Sequence, residues 1–120
     1  MPVYELPYPP SVNKMYVRGK NGRTYKSRGA KAFMENAWAA VLAQGRERIE
    51  GRLEVRIALF PPELKRKRDL DNTIKCTLDL LMAAQVFDDD EAIDKLTIER
   101  NPASGNGKVV VFIDPRTLDV

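Results

Sequence analysis

The sequence predicts a single α+β domain, α/β-like, with a mixed β-sheet and two main helices packed on it. Three observations predict it. Two segments repeat their apolar residues at helical spacing. Four short segments read as strands, and two more suit a hairpin. The order strand, helix, strand in the second half suits a parallel crossover. At 120 residues the chain is one domain, 1–120, long enough to bury a core without disulfides or a structural metal.

Residues 2–7 suggest a short strand ended by the Pro7–Pro10 region. Residues 14–19 and 23–27 suit a hairpin around Gly19-Lys20-Asn21-Gly22, because Asn-Gly supplies the positive φ of tight turns. The alternative is an irregular basic loop. Residues 30–45 predict a helix, with Phe33, Met34, Ala37, Trp38, Val41 and Leu42 as one apolar stripe and Gly45 able to end it. Trp38 is read as core. Residues 52–60 alternate, with Leu53, Val55, Ile57 and Leu59 on one side of a half-buried strand that Pro61-Pro62 stops. Residues 63–69 are a polar, basic loop. Residues 71–84 return to helical period, with Leu70, Ile74, Leu78, Leu81 and Met82 on the stripe. After a short break and Asp88-Asp89-Asp90-Glu91 comes a strand over 93–100. Ser104-Gly105-Asn106-Gly107 reads as a turn, and Val109–Ile113 is the last strand, expected to pair with 93–100 as an antiparallel hairpin.

Composition narrows the chemistry. There is no histidine, which excludes Ser-His and Cys-His catalysis and imidazole metal ligands. The lone cysteine, Cys76, forms no internal disulfide and no multi-cysteine zinc site; it is read as a small buried filler. The N-terminus lacks a signal-peptide run and no stretch is long enough to span a bilayer, so a soluble cytoplasmic protein without membrane attachment is expected. The net charge of +3 is modest, but its distribution is uneven: Leu6 to Met34 contains no acid and seven cations, Lys65-Arg66-Lys67-Arg68 forms a second basic block, and eight of the 17 carboxylates fall between Asp69 and Asp94. Cations around an acidic centre suit a metal-dependent nuclease, where the cations hold phosphates and the carboxylates hold the metal. The plain alternative is a solvated charged face.

The sharpest local feature is Arg68-Asp69-Leu70-Asp71-Asn72, with Lys75 four residues after Asp71. In an extended approach Asp69 and Asp71 point to one side, and Lys75 lies one helical turn beyond Asp71. Two close carboxylates repel each other unless a cation sits between them, and hard divalent cations prefer oxygen ligands. A third carboxylate is wanted, and the run Asp88, Asp89, Asp90 and Glu91 offers four. The bland reading makes Asp71 a plain N-cap, Asp69 an ion-pair partner and the acidic run a solvated loop. Asp79, roughly 12 Å along the helix from Asp71, is read as a surface residue. Tyr16 and Tyr25 interleave with the cations of the first basic segment, a combination suited to phosphate contact with base or sugar stacking.

These residues resemble the RusA-type Holliday-junction resolvases, small homodimeric endodeoxyribonucleases of bacteria and their phages and prophages. The resemblance covers nearly the whole chain. It rests on Pro9-Pro10-Ser11-Val12-Asn13 with Tyr16, on the basic run into Arg68-Asp69-Leu70-Asp71-Asn72 with Lys75, and on Asp89-Asp90 followed by a strand. It implies that Asp69, Asp71 and Asp90 are metal-binding catalytic acids, with Asp89 as the alternative to Asp90 and Lys75 as the essential lysine. It implies Mg²⁺ or Mn²⁺, no organic cofactor, a branched four-way DNA substrate and paired symmetric nicks in recombination and repair. Asn13, Tyr16, Arg18, Lys20, Arg23, Lys65, Arg66 and Arg68 are the candidate DNA contacts. Two opposed cuts in a near two-fold junction independently suit a C₂ homodimer, because one domain of this size has one carboxylate cluster. The competing readings are a non-catalytic branched-DNA-binding phage protein and a less selective metal-dependent nuclease.

Overall fold

The computed structural model describes residues 2–10, 16–22, 24–26, 28–63 and 71–116, with backbone placement alone for 16–18, 24–26, 71 and 72. Four strands, β1 (Val3–Pro7), β4 (Leu53–Phe60), β5 (Ile93–Arg100) and β6 (Lys108–Pro115), form one mixed sheet in the order β1-β6-β4-β5. β2 (Tyr16–Arg18) and β3 (Thr24–Lys26) form a separate antiparallel hairpin. Two helices, α1 (Arg28–Ala43) and α2 (Asp71–Ala83), cover one face of the sheet.

Alternation drives the sheet. Leu53, Val55, Ile57 and Leu59 are buried on β4, and opposite them lie Val109, Val111 and Ile113 of β6 and Tyr4 and Leu6 of β1. Each such aliphatic side chain contributes about 1.5–3 kcal/mol when taken from water. They pack on Phe33, Ala37 and Val41 of α1 and on Cys76, Leu80 and Leu81 of α2. The other face of the sheet carries Glu54, Arg56, Phe112 and Asp114, with the Arg56 guanidinium 4.3 Å from the Phe112 ring centroid. β1 is an edge strand, and Gln44 blunts it: its amide oxygen accepts from Glu5 N at 2.8 Å and its amide nitrogen donates to Glu5 O at 2.7 Å.

β4, α2 and β5 make the expected crossover, since β4 and β5 pair in parallel. The expected β5–β6 hairpin is wrong. β6 lies between β1 and β4, antiparallel to both. The connection from Asn101 to Gly107 steps over the end of β4, held by Ser104 N to Pro61 O at 2.9 Å and Glu63 N to Gly105 O at 3.0 Å. The physical reason is burial. β6 has three fully buried aliphatics and fits a central position, whereas β5 is mostly exposed and suits an edge. Asn106-Gly107 is a turn, but not one that joins paired strands.

Three other expectations need correction. Trp38 is not core; it is 43% exposed, and Leu42 one turn on is 55% exposed. The helical stripe on α1 is wider than its contact with the sheet, so only the Phe33, Ala37 and Val41 side is covered. On α2 the buried face includes Thr73, Cys76, Thr77, Leu80 and Leu81, while Ile74 and Met82 are half-buried. Thr77 lies at no polar disadvantage because its hydroxyl donates to Thr73 O at 2.9 Å. The break after α2 is also a core anchor. Gln85 adopts φ +61°, Gln85 N donates to Met82 O at 3.0 Å, and Val86 N donates to Leu81 O at 3.0 Å. This is a Schellman stop, with Val86 and Leu81 both fully buried.

Candidate active site

The buried pair Val86-Phe87 pins the chain just past α2, so the acidic run that follows is pushed straight onto the surface. Asp88, Asp89, Asp90 and Glu91 are all exposed. Asp90–Ala92 is a single 3-10 turn leading into β5. Four adjacent carboxylates repel one another, and the fold offsets this with a segment from elsewhere in the chain. Residues 46–52, between α1 and β4, run beside the acids, joined by Ile49 N to Val86 O at 2.8 Å. Arg46 reaches the Gln85 carbonyl at 3.4 Å. Arg48 pairs with Asp88. Arg52 pairs with Glu91 at 3.0 Å and with Asp94. Asp89 is the N-cap of the turn, its carboxylate accepting from Glu91 N at 3.1 Å.

That leaves Asp90. A side-chain hydrogen bond with Asp89 raises its proton affinity above the ordinary carboxyl range, and the charges of Asp89 and Asp79 act in the same direction. Asp89 moves the opposite way, chiefly through the Glu91 N–H and then through the same bond with Asp90. Among the described residues, Asp89 and Asp90 are the acids of this run with no arginine against them; Asp89 is held by the Glu91 N–H, and Asp90 faces Asp89 and the charge of Asp79. A carboxylate in that setting favours either a proton or a divalent cation. The donor chemistry therefore fits a hard metal ion.

Asp79 was expected to be a remote surface residue. It is half-buried, and its charge adds to that of Asp89 in raising the proton affinity of Asp90. Asp71 opens α2 and Lys75, exposed, lies one turn on. From Asp71 to Asp79 is about 12 Å of helix. The Asp71 side chain and all of Asp69 lie outside the described residues, and among the described residues no three metal-ligating side chains gather. Of the candidate DNA contacts, Lys20 sits exposed in the β2–β3 turn, where Gly22 N donates to Gly19 O at 3.1 Å and Gly22, not Asn21, takes the positive φ. Tyr16 and Arg18 are backbone positions of β2, opposite Lys26 and Thr24. Asn13, Arg23, Lys65, Arg66 and Arg68 lie outside the described residues.

The arginines of 46–52 carry the site's framework, and no sequence pattern singled them out. Their partners are some 40 residues away, so only the tertiary pairing shows that their spacing matches that of the acids.

The family described as Endodeoxyribonuclease RusA matches residues 7–114. The chain belongs to the RusA family. The matched span contains both acid stations, at α2 and at Asp88–Glu91. Among RusA relatives, the chain is 32% identical over 112 residues to the crossover junction endodeoxyribonuclease RusA of Escherichia coli O139:H28 (strain E24377A / ETEC), covering 90% of this chain and 89% of the relative. It is 31% identical over the same length to that of Escherichia coli (strain K12), with the same coverage. It is 32% identical over 111 residues to the RusA protein of Enterobacteria phage 82, again covering 90% and 89%. Among the described residues, no helix of this RusA-family chain is long and apolar enough to cross a membrane.

Proposed function

We propose that this RusA-family chain is a structure-selective DNA endonuclease that resolves four-way junctions by paired symmetric nicks. Its relatives are named crossover junction endodeoxyribonucleases over nearly their whole length. Asp69, Asp71 and Asp90 are the acids we assign to a divalent cation, Mg²⁺ with Mn²⁺ as a substitute. The observation that carries this assignment is that, among the described residues, Asp90 pairs with no cation and its side-chain partner is the like-charged Asp89. Its neighbours are each committed, Asp88 to Arg48, Asp89 to a backbone cap, Glu91 to Arg52. This favours Asp90 over Asp89 as the third ligand.

When bound, the ion supplies a more acidic water and offsets charge on the phosphate. The protein's own groups do the rest. Asp69, Asp71 and Asp90 would hold the ion, and Lys75, one turn from Asp71, would neutralise charge or orient water. The cations of 65–68 and of the β2–β3 hairpin hold the DNA backbone. Two opposed nicks require two such sites, which supports a C₂ homodimer. Trp38 and Leu42, exposed one turn apart on α1, are the apolar surface we assign to the second copy.

The test is a four-way-junction assay of the wild type and Asp71→Asn, with and without Mg²⁺, against linear duplex at matched salt. The reading expects metal-dependent nicking of the junction over the duplex, and an Asp71→Asn protein that binds but does not nick. Nicking that survives Asp71→Asn would defeat it.

A further inference from the structure

We infer that Arg52 is a positioning residue for Asp90, a role that rests on the assignment of Asp90 to the metal. The turn that presents Asp90 is lightly packed: Asp90 and Glu91 are exposed, and only Ala92, half-buried, touches the core. Its shape depends on polar contacts. Within the turn these are the Asp89 cap and the Ala92 N to Asp89 O bond at 3.0 Å. From outside, the guanidinium of Arg52 supplies four contacts: Nη1 to Glu91 Oε1 at 3.0 Å, Nη2 to the Glu91 carbonyl at 2.9 Å, and Nε at 2.9 Å and Nη2 to Asp94 Oδ1.

The geometry gives this clamp its effect. The Glu91 carbonyl belongs to the residue next to Asp90, and Asp94 lies just beyond the turn, so Arg52 grips the backbone within it and the side chain after it. Arg52 is itself fixed to the sheet, because its carbonyl accepts from Arg116 N at 2.8 Å and its chain runs directly into β4. A planar guanidinium can hold such a fork; an ammonium holds one point of it. Arg52 donates to Glu91 and Asp94 and leaves the Asp90 carboxylate clear. It also offsets charge on Glu91 and Asp94, the acids that follow Asp90. Isolated surface pairs do little, but a four-contact network on a turn that packs only through Ala92 holds the backbone from which Asp90 projects.

The experiment measures Mn²⁺ binding by electron paramagnetic resonance on the intact wild type, Arg52→Ala, Arg52→Lys and Asp90→Asn. Alongside it run melting curves, junction binding in EDTA and the Mg²⁺ dependence of nicking. Arg52→Ala should bind Mn²⁺ roughly tenfold more weakly, the scale expected when a partner that orients a ligand is lost. Its Mg²⁺ half-activation should rise by the same factor, the rate should recover at saturating Mg²⁺, and junction binding in EDTA should not change. Arg52→Lys should fall between. If Arg52→Ala does not fold, Arg52→Lys carries the test. A folded variant whose Mn²⁺ affinity stays within about twofold of wild type, or that loses junction binding in EDTA, overturns the role. Asp90→Asn separates the two claims: if it still binds Mn²⁺ and nicks, the ligand assignment fails, and if it is inactive while Arg52→Ala is normal, only the role of Arg52 fails.

Discussion

Among the described glycines Gly107 carries the tightest steric demand, and it can be worked into a number. Its φ is +82°, and a Cβ added there would sit 2.8 Å from Pro62 N, 2.9 Å from Pro62 Cδ and 3.0 Å from Tyr8 Cβ. A residue with a Cβ in the left-handed region loses about 1–2 kcal/mol, partly offset by about 0.4–1 kcal/mol because alanine restricts the unfolded chain. Contact with a backbone nitrogen, which cannot rotate away, adds about 1–3 kcal/mol. The net effect of Gly107→Ala is therefore about 2–4 kcal/mol. At roughly 2.1 cal/mol/K of melting entropy per residue, this 120-residue chain should melt about 8–16 °C lower. Gly105→Ala is the control. Gly105 also has positive φ, +49°, but nothing lies within 4 Å of its Cβ position. It should lose about 1 kcal/mol, or about 4 °C. Differential scanning calorimetry of both variants measures the difference. If the two melt within about 2 °C of each other, the close approach of Gly107 to Pro62 and Tyr8 is not a feature of the protein in solution.

Other outcomes follow from the site and the surface. Asp94 is held below the usual carboxyl range by its hydrogen bond to Arg52, with the charges of Arg52 and Arg116 adding to it. A depressed folded-state value stabilises the fold above the unfolded carboxyl range and is lost as pH falls through the folded value. The melting difference between wild type and Asp94→Asn should thus be full at neutral pH and close below about pH 4; a gap that persists at low pH would mean the ion pair is not its source. Lys65→Ala with Arg66→Ala should weaken junction binding and make its salt dependence shallower by roughly 0.9 per lost phosphate contact, whereas Lys75→Ala should slow nicking with affinity little changed; equal loss of binding in both would contradict the division of roles. Trp38→Ala with Leu42→Ala should shift sedimentation of the proposed homodimer toward the monomer; sedimentation equal to wild type would contradict that interface.

Much of the architecture was legible in local pattern. The β4 alternation, the α2 period and the order strand, helix, strand gave the crossover, because each depends on neighbours in sequence. Sheet order was not legible, since whether β6 pairs with β5 or inserts beside β4 depends on how much apolar surface each strand can bury, and Asn106-Gly107 signals a turn without naming its partners. Trp38 was misplaced because helical spacing marks an apolar stripe without saying how wide its contact is. At the site, the motif around Asp71 and the acidic run stood out as composition. Which acids the arginines take was hidden, because Arg48 and Asp88, or Arg52 and Asp94, are 40 and 42 residues apart.

The central claim is that Asp90 shares a metal ion with the acids at the start of α2. Counting Mn²⁺ bound to wild type, Asp71→Asn and Asp90→Asn by electron paramagnetic resonance tests it most directly. The account predicts that either substitution alone removes the same bound ion and the nicking activity with it. Full Mn²⁺ occupancy in Asp90→Asn, with Asp71→Asn empty, would contradict it.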